Sequence, residues 1–272
     1  MGLRINTNIA AINASRTLRG TTRQLNTTLE RLASGLRINR AADDAAGLAI
    51  SEGFRTVIRG SAVAQRNAQD GISLVQTAEG ALSEATNILQ RMRELAVQAA
   101  NGTQSAANRE SLDLEVRQLL EQLDDIAFDT EFNGLAVLSS AQTITLQAGF
   151  RAGQTIEIAV AGASTANLGV TSVSLSTMAG AVSALGILDA AIQSVSQLRA
   201  TFGAVQNRLE FTMNSLAITE ENASASDSAL RDADIATETI QFTRTQILIS
   251  SGTAVLAQAN LVPQTALQLL GG

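Results

Sequence analysis

The densest set of side chains able to do chemistry is a run of carboxylates within EQLDDIAFDTEFNG, Glu121 to Gly134. Carboxylates in such a cluster can act as a general acid–base pair or hold a hard cation through oxygen. An EF-hand loop, however, alternates its oxygen ligands around a central glycine, and this stretch has neither feature. It reads as a solvated acidic helix end, with no metal bound. No other reactive group stands by to help. The 272-residue chain has no His, Cys, Trp or Tyr, and all 19 of its basic residues are Arg. That removes thiolate nucleophiles, imidazole bases, Schiff-base lysines and phenolic acids, together with zinc sites built on Cys or His. A Walker loop would need a lysine, and no GxGxxG occurs, so neither phosphate cradle is available. The composition argues against an enzyme, and no cofactor is expected.

What remains suits long helices: Ala, Leu, Gln, Glu and Arg dominate, with a single proline, Pro263. Charge is uneven, at +6 over residues 1–66 and −12 over the rest. A basic arm raises the question of nucleic acid, but these Arg residues are spread at helical intervals with no interleaved aromatics. The stretch Glu210 to Glu238 carries seven acids and one Arg, so the two ends are expected to pair with each other instead. Arg4, Arg16, Arg19, Arg23 and Arg31 would face Glu220, Glu221, Asp227, Asp232, Asp234 and Glu238. The first twenty residues contain no apolar block of about 7–15 residues, so no cleavable signal peptide is expected. Export, if it occurs, would use a route that leaves the N-terminus intact.

The elements around these charges are legible from periodicity. Val75, Ala78, Leu82, Ala85, Leu89, Met92, Ala96 and Ala99 alternate three- and four-residue steps, as do Leu112, Val116, Leu119, Leu123 and Ile126. A third run goes from Leu188 to Leu216. Each has one apolar stripe, which predicts helices packed side by side in a coiled-coil-like bundle. TITLQAGFRAGQTIEIAV (Thr143 to Val160) alternates on both sides of a Gly-flanked turn, predicting a small β-hairpin within about 139–177. The polar Ala161 to Thr177 that follows reads as exposed loop or edge strand. The fold class is therefore mainly α.

The tail differs. Heptad steps place Ile235, Phe242, Ile249 and Leu256 on one line. A second line is Ile240, Ile247, Ala254 and Leu261, and a third is Leu248, Val255, Val262 and Leu269. Three lines leave little polar circumference, and a helix apolar nearly all round must be buried on nearly all sides. It is also too broken by Gln, Asn and Pro to be a membrane span. The N-terminal segment, with Ile5, Ile9, Ile12, Leu18, Leu25, Leu29 and Leu32, can cover one side only. The rest of the cover must come from other copies or another protein, so both ends are expected to be assembly elements. A proline inside a helix lacks its donor and crowds the preceding turn, which predicts a kink or a restart near Asn260 to Pro263.

At this point the residues resemble bacterial flagellin. The resemblance is carried by RLASGLRINRAADDAAGLAISEGFR (Arg31 to Arg55), LQRMRELAVQAANGT (Leu89 to Thr103) and FNGLAVL (Phe132 to Leu138). It continues in GAVQNRLEFTMNSL (Gly203 to Leu216), DADIATET (Asp232 to Thr239) and GTAVLAQANLVPQTALQLL (Gly252 to Leu270). It implies that residues 1–44 and 231–272 pair as a terminal helical hairpin lining a filament core, with 45–230 as the next shell. Only Ser139 to Gly180 lacks a counterpart, so large outer domains look absent. The implied job is mechanical: subunits of a filament that turns motor rotation into swimming thrust. Implied partners are other copies, a distal cap, hook-associated proteins, a cytoplasmic chaperone and the flagellar export apparatus, with an extracellular destination. In flagellins that vertebrates detect, Toll-like receptor 5 contacts the first bundle helix, and the matching positions here are Arg91, Leu95 and Glu115. The alternative identity is a hook–filament junction protein, which shares the terminal helices.

Overall fold

The computed structural model describes the backbone of residues 7–270 and the side chains of residues 7–261. Five helices and two antiparallel strand pairs follow in order. They are α1 (Ile9–Ser34), α2 (Ala45–Ala100), α3 (Ala106–Asp129), β1 (Glu131–Phe132), β2 (Leu135–Ala136), β3 (Gln142–Gln147), β4 (Thr155–Val160), α4 (Met178–Arg231) and α5 (Ile235–Leu270). The chain divides into two compact units, Met1–Thr56 with Asn222–Gly272, and Val57–Glu221.

Each helix starts at a residue whose side chain accepts a hydrogen bond from an amide of the first turn. Asn8 takes the Ala11 amide at 3.1 Å, Asp44 that of Gly47 at 2.9 Å and Ser105 that of Asn108 at 3.2 Å. Thr177 takes the Gly180 amide at 3.0 Å and Asp234 that of Ala236 at 2.9 Å. Such caps satisfy amides that have no partner within the helix. At the other end of α1, Gly35 adopts φ 71 and returns its N–H to the Arg31 carbonyl at 2.8 Å. That left-handed position favours glycine and turns the chain out of the helix.

The unit Val57–Glu221 holds the main core. Val75, Ala78, Leu82, Leu89, Met92 and Ala96 from α2 meet Val116 and Leu123 from α3 and Leu188, Val195 and Phe202 from α4, all buried. These are the stripes read from periodicity. The predicted hairpin is also present, with β3 and β4 in a six-residue antiparallel register from Gln142↔Val160 to Gln147↔Thr155. Ile156, Ile158 and Val160 point inward along β4. A second, shorter turn joins β1 to β2 through Asn133 (φ 53) and Gly134 (φ 76), the two positive-φ residues that a tight hairpin turn demands.

Two expectations are corrected here. Ala161 to Thr177 is not an exposed loop: Ala163, Ser164, Thr165, Leu168, Val170, Val173 and Leu175 are buried. The cause lies on α3. Asp124 accepts both the amide and the hydroxyl of Thr165 at 2.8 Å. Asp113 accepts the Leu175 amide at 2.6 Å, the Ser174 hydroxyl at 2.9 Å and the Arg117 Nε–H at 2.9 Å. With its polar groups met in this way, an irregular segment can lie in the core. Asp124 therefore anchors a loop, although its neighbourhood reads as a merely solvated helix end. The second correction concerns the restart half of the Pro263 expectation: α5 continues through Pro263 to Leu270 as one helix.

Candidate functional site

The residues expected to drive assembly lie on α1 and α5, which run antiparallel in the unit formed by the two ends. Four contacts fix the register. Asn8 Nδ2 donates to the Ala259 carbonyl at 2.7 Å, and Leu18 packs on Gly252, where an added Cβ would come within 3.3 Å of Leu18 Cδ1. Arg31 Nη1 meets Glu238 Oε1 at 3.1 Å, and Leu36 bridges to Asp232 through the backbone.

The seam has a simple composition. On α1, Leu18, Leu25 and Leu32 recur every seven residues beside a second line of Thr21, Thr28 and Gly35. On α5, Phe242, Ile249 and Leu256 recur beside Thr245, Gly252 and Ala259. The register places Leu18 of the large α1 line over Gly252 of the small α5 line. Cα atoms of α1 and α5 consequently come within 8 Å of each other along the hairpin, a distance the bundle helices reach at most at isolated points. Packed helix axes ordinarily lie about 8–10 Å apart. Thr245 is fully buried at the seam because its hydroxyl is satisfied by the Gln241 and Phe242 carbonyls of its own helix.

Of the predicted assembly residues, Leu18, Leu25, Leu32, Phe242, Ile249 and Leu256 are half-buried along this seam. Ile9, Ile12, Ile235, Val255 and Leu261 are exposed, together with Ile240, Ile247 and Leu248. Ile5 and the side chains of Val262 and Leu269 fall outside the described residues. Phe242, Ile249 and Leu256 of one α5 line are thus partly covered by α1, and the described residues of the other two lines face outward.

The charged residues partly depart from the expected pairing. Arg31 and Glu238 do meet. Asp234 instead caps α5, taking the Thr237 hydroxyl at 2.8 Å and the Thr237 and Ala236 amides, which lower its pKa in that order of importance. Asp232 accepts from the Ser228 hydroxyl at 2.6 Å, and Asp227 from Ser51. Local capping satisfies a carboxylate without ordering a long arginine side chain, so it takes precedence over a distant ion pair.

Sequence reasoning missed a second feature, the tie between the segments that join α1 to α2 and α4 to α5. The Arg37 amide donates to the Arg231 carbonyl at 2.7 Å and the Ala233 amide to the Gly35 carbonyl at 2.9 Å. Arg37 Nη2 reaches the Leu230 carbonyl at 2.6 Å. Arg231 reaches the Ile38 carbonyl, Ser51 and Glu52, each at 3.3 Å. Ile38 is buried beneath them. The signal was present in the Arg-rich RINR beside Gly35, but only the fold brings position 231 to it.

The three positions matched to receptor contact lie in the other unit. Arg91 is exposed and bridges Glu115 at 2.9 Å and Glu94 at 3.2 Å. Leu95 is 2% exposed and belongs to the core, so it presents no apolar surface in this fold.

Among the described residues, no group of three His, Cys, Asp or Glu side chains is placed to hold a metal ion. One described helix, α4, is long and apolar enough to cross a membrane, yet its Ala181, Ala184, Leu188, Ala191 and Val195 form part of the bundle core. A folded helical bundle whose chain ends form a closely packed hairpin with two bare apolar lines defines the class: a structural assembly subunit. Bacterial flagellin N-terminal helical region matches residues 5–143, and bacterial flagellin C-terminal helical region matches residues 185–270. The chain is 46% identical to a flagellin of Halalkalibacterium halodurans, covering 98% of this chain and 99% of that protein. It is 43% identical to the flagellar filament 33 kDa core protein of Treponema phagedenis, over 98% and 99% of the two. The crystal structure of Bacillus cereus flagellin is 40% identical and superposes with a TM-score of 0.51, covering 56% of this chain and 88% of that one. The chain belongs to the bacterial flagellin family, in a short form, and is a structural subunit of the flagellar filament. The hook–filament junction alternative is not favoured.

Proposed function

We propose that the terminal hairpin is the polymerising element of this flagellin, with residues 1–44 and 231–272 building the filament core and 45–230 the shell around it. The observation that carries this reading is the bare surface of α5: Ile240 is 70% exposed, Ile247 61% and Val255 59% in the single chain. Burying one large aliphatic side chain stabilises by roughly 1.5–3 kcal/mol, so covering this row against neighbouring copies is a strong drive to assemble. Ile9, Ile12, Ile235 and Leu261 are exposed as well, and we assign the same assembly role to Ile5, Val262 and Leu269, whose side chains lie outside the described residues. The half-buried seam residues Leu18, Leu25, Leu32, Phe242, Ile249 and Leu256 hold the two helices together beneath it.

The chain carries out no catalysis; its work is mechanical, transmitting rotation as thrust outside the cell. A chain without disulfides and with ends that order on arrival suits export in an unfolded state through the flagellar secretion apparatus. A chaperone would cover the tail beforehand, and a distal cap and hook-associated proteins would bound the filament. Receptor recognition at the bundle would use the exposed Arg91–Glu115 pair, with Leu95 acting from beneath.

Deletion of 231–272 tests the reading. Electron micrographs and sedimentation should show a folded, helical protein that forms no filaments under conditions where the full chain does. Filaments from the shortened chain would overturn it.

A further inference from the structure

The hydrogen bond from Asn8 to Ala259 has a specific chemical setting. In an α-helix each carbonyl accepts from the amide four residues later, so the partner of Ala259 would be the amide of position 263. Position 263 is proline, which has no N–H and whose ring crowds the carbonyl four residues before it. The Ala259 carbonyl is therefore left without its helical donor, in a partly buried place within the hairpin. Asn8 supplies that donor from the other helix at 2.7 Å. The same side chain faces two ways, since its Oδ1 accepts the Ala11 amide at 3.1 Å and caps α1. A single asparagine thus starts one helix and completes the broken ladder of the other.

We propose that Asn8 and Pro263 form a register lock for the terminal hairpin. Apolar packing alone is permissive along this seam, because Leu18, Leu25 and Leu32 repeat every seven residues and so do Thr245, Gly252 and Ala259. A slip of one heptad would again lay large residues over small ones. It would also carry Asn8 away from the Ala259 carbonyl, an interior carbonyl of α5 that the proline deprives of its helical donor, and leave that carbonyl unpaired, which the helix tolerates poorly. The proline therefore creates a free acceptor within the interior of α5, and the asparagine is the donor that reads it. Residues at the far end, Arg31 and Glu238, oppose the same slip with an ion pair at 3.1 Å.

The test uses the full chain and its lack of cysteine. Leu18→Cys and Gly252→Cys report the native register through a short bis-maleimide cross-link within one chain. Leu18→Cys with Thr245→Cys or Ala259→Cys reports a slip by one heptad. Asn8→Ser retains a capping oxygen for α1 but loses the amide donor, and Asn8→Asp retains the cap and sets a carboxylate against the carbonyl. Pro263→Ala restores an amide at position 263. In the Pro263 background, Asn8→Ser should lower native-register cross-linking relative to slipped by about five-fold, the equivalent of one net hydrogen bond of about 1 kcal/mol, and Asn8→Asp by more. In the Pro263→Ala background the same substitutions should change it less than about two-fold. Equal losses in both backgrounds would make Asn8 a cap of α1 and nothing more, and no loss in either would make the contact idle; both results overturn the proposal. The lock rests on the hairpin reading only for its effect on assembly. If the cross-links shift while the critical concentration for polymerisation stays unchanged, it is the assembly role of the hairpin that fails, and the lock stands.

Discussion

The terminal hairpin and the bundle are both built from long helices, yet they use apolar residues in opposite ways. In the bundle, each helix carries one stripe of large residues, and Leu82, Leu89, Met92, Leu123, Leu188 and Phe202 are fully buried within the chain. The helices stand apart at the distance such side chains require, and polar loops are drawn in by Asp113 and Asp124 to close the remaining gaps. In the hairpin, Thr21, Thr28, Thr245, Gly252 and Ala259 bring the helices close, and the seam consumes only one line of α5. Two apolar lines stay bare. The difference separates a unit that buries its large apolar residues within the chain from one that leaves them exposed in the single chain.

The sharpest way to break this comparison is to place polarity on the bare lines. Ile240→Asn with Ile247→Asn should raise the critical concentration for assembly by about a hundred-fold or more, since each buried aliphatic contributes roughly 1.5–3 kcal/mol. The thermal transition of the unpolymerised protein should stay unchanged. A shifted transition with intact assembly would mean that the two regions had been assigned the wrong way round.

A core truncation should do the reverse. Leu89→Ala ought to destabilise the bundle by roughly 2–5 kcal/mol, read from denaturant unfolding. Polymerisation of the fraction that remains folded should be little affected.

Asp113 gives a smaller effect with a definite pH dependence. Burial pushes its pKa up, but the Leu175 amide, the Ser174 hydroxyl and Arg117 together outweigh that and hold it below the ordinary aspartate value. With the folded value depressed, its contribution is present in full above the unfolded pKa near 3.8 and is lost as pH falls through the lower folded value. Asp113→Ala should cost roughly 1–3 kcal/mol at neutral pH. Stability curves of the variant and the parent should converge under strong acid, and divergence there would contradict the assignment.

The smallest effect is expected at Arg91. Its partners Glu115 and Glu94 are exposed with it, and exposed pairs hold little net energy. Arg91→Ala should leave both the melting temperature and the critical concentration unchanged. A fall in receptor binding without either change would locate recognition at this pair.

The sequence alone determined the helical class, the bundle stripes, the β3–β4 hairpin and the surplus of apolar lines on the tail. All of these are periodic, and periodicity is a local property of the chain. It also removed thiolate, imidazole, amine and phenol chemistry, since the chain has no Cys, His, Lys or Tyr. Tertiary structure decided the rest. Ala161 to Thr177 looks like loop because its own residues are polar and irregular, and only the approach of Asp113 and Asp124 allows it to be buried. Leu95 reads as a surface contact from its motif, but the helix turns it into the core. Asp234 looks like a partner for a distant arginine until the start of α5 makes it a cap, and Asp232 until Ser228 and the strand-like bridge to Leu36 engage it. Pro263 predicts a kink or a restart by its lack of a donor; the helix does not restart, and the Ala259 carbonyl it leaves without a helical N–H accepts from Asn8, far away in sequence. For the buried loop and for Ala259 the deciding group is far off in sequence, and a hydrogen bond or a packing distance between such groups exists only once the chain has folded.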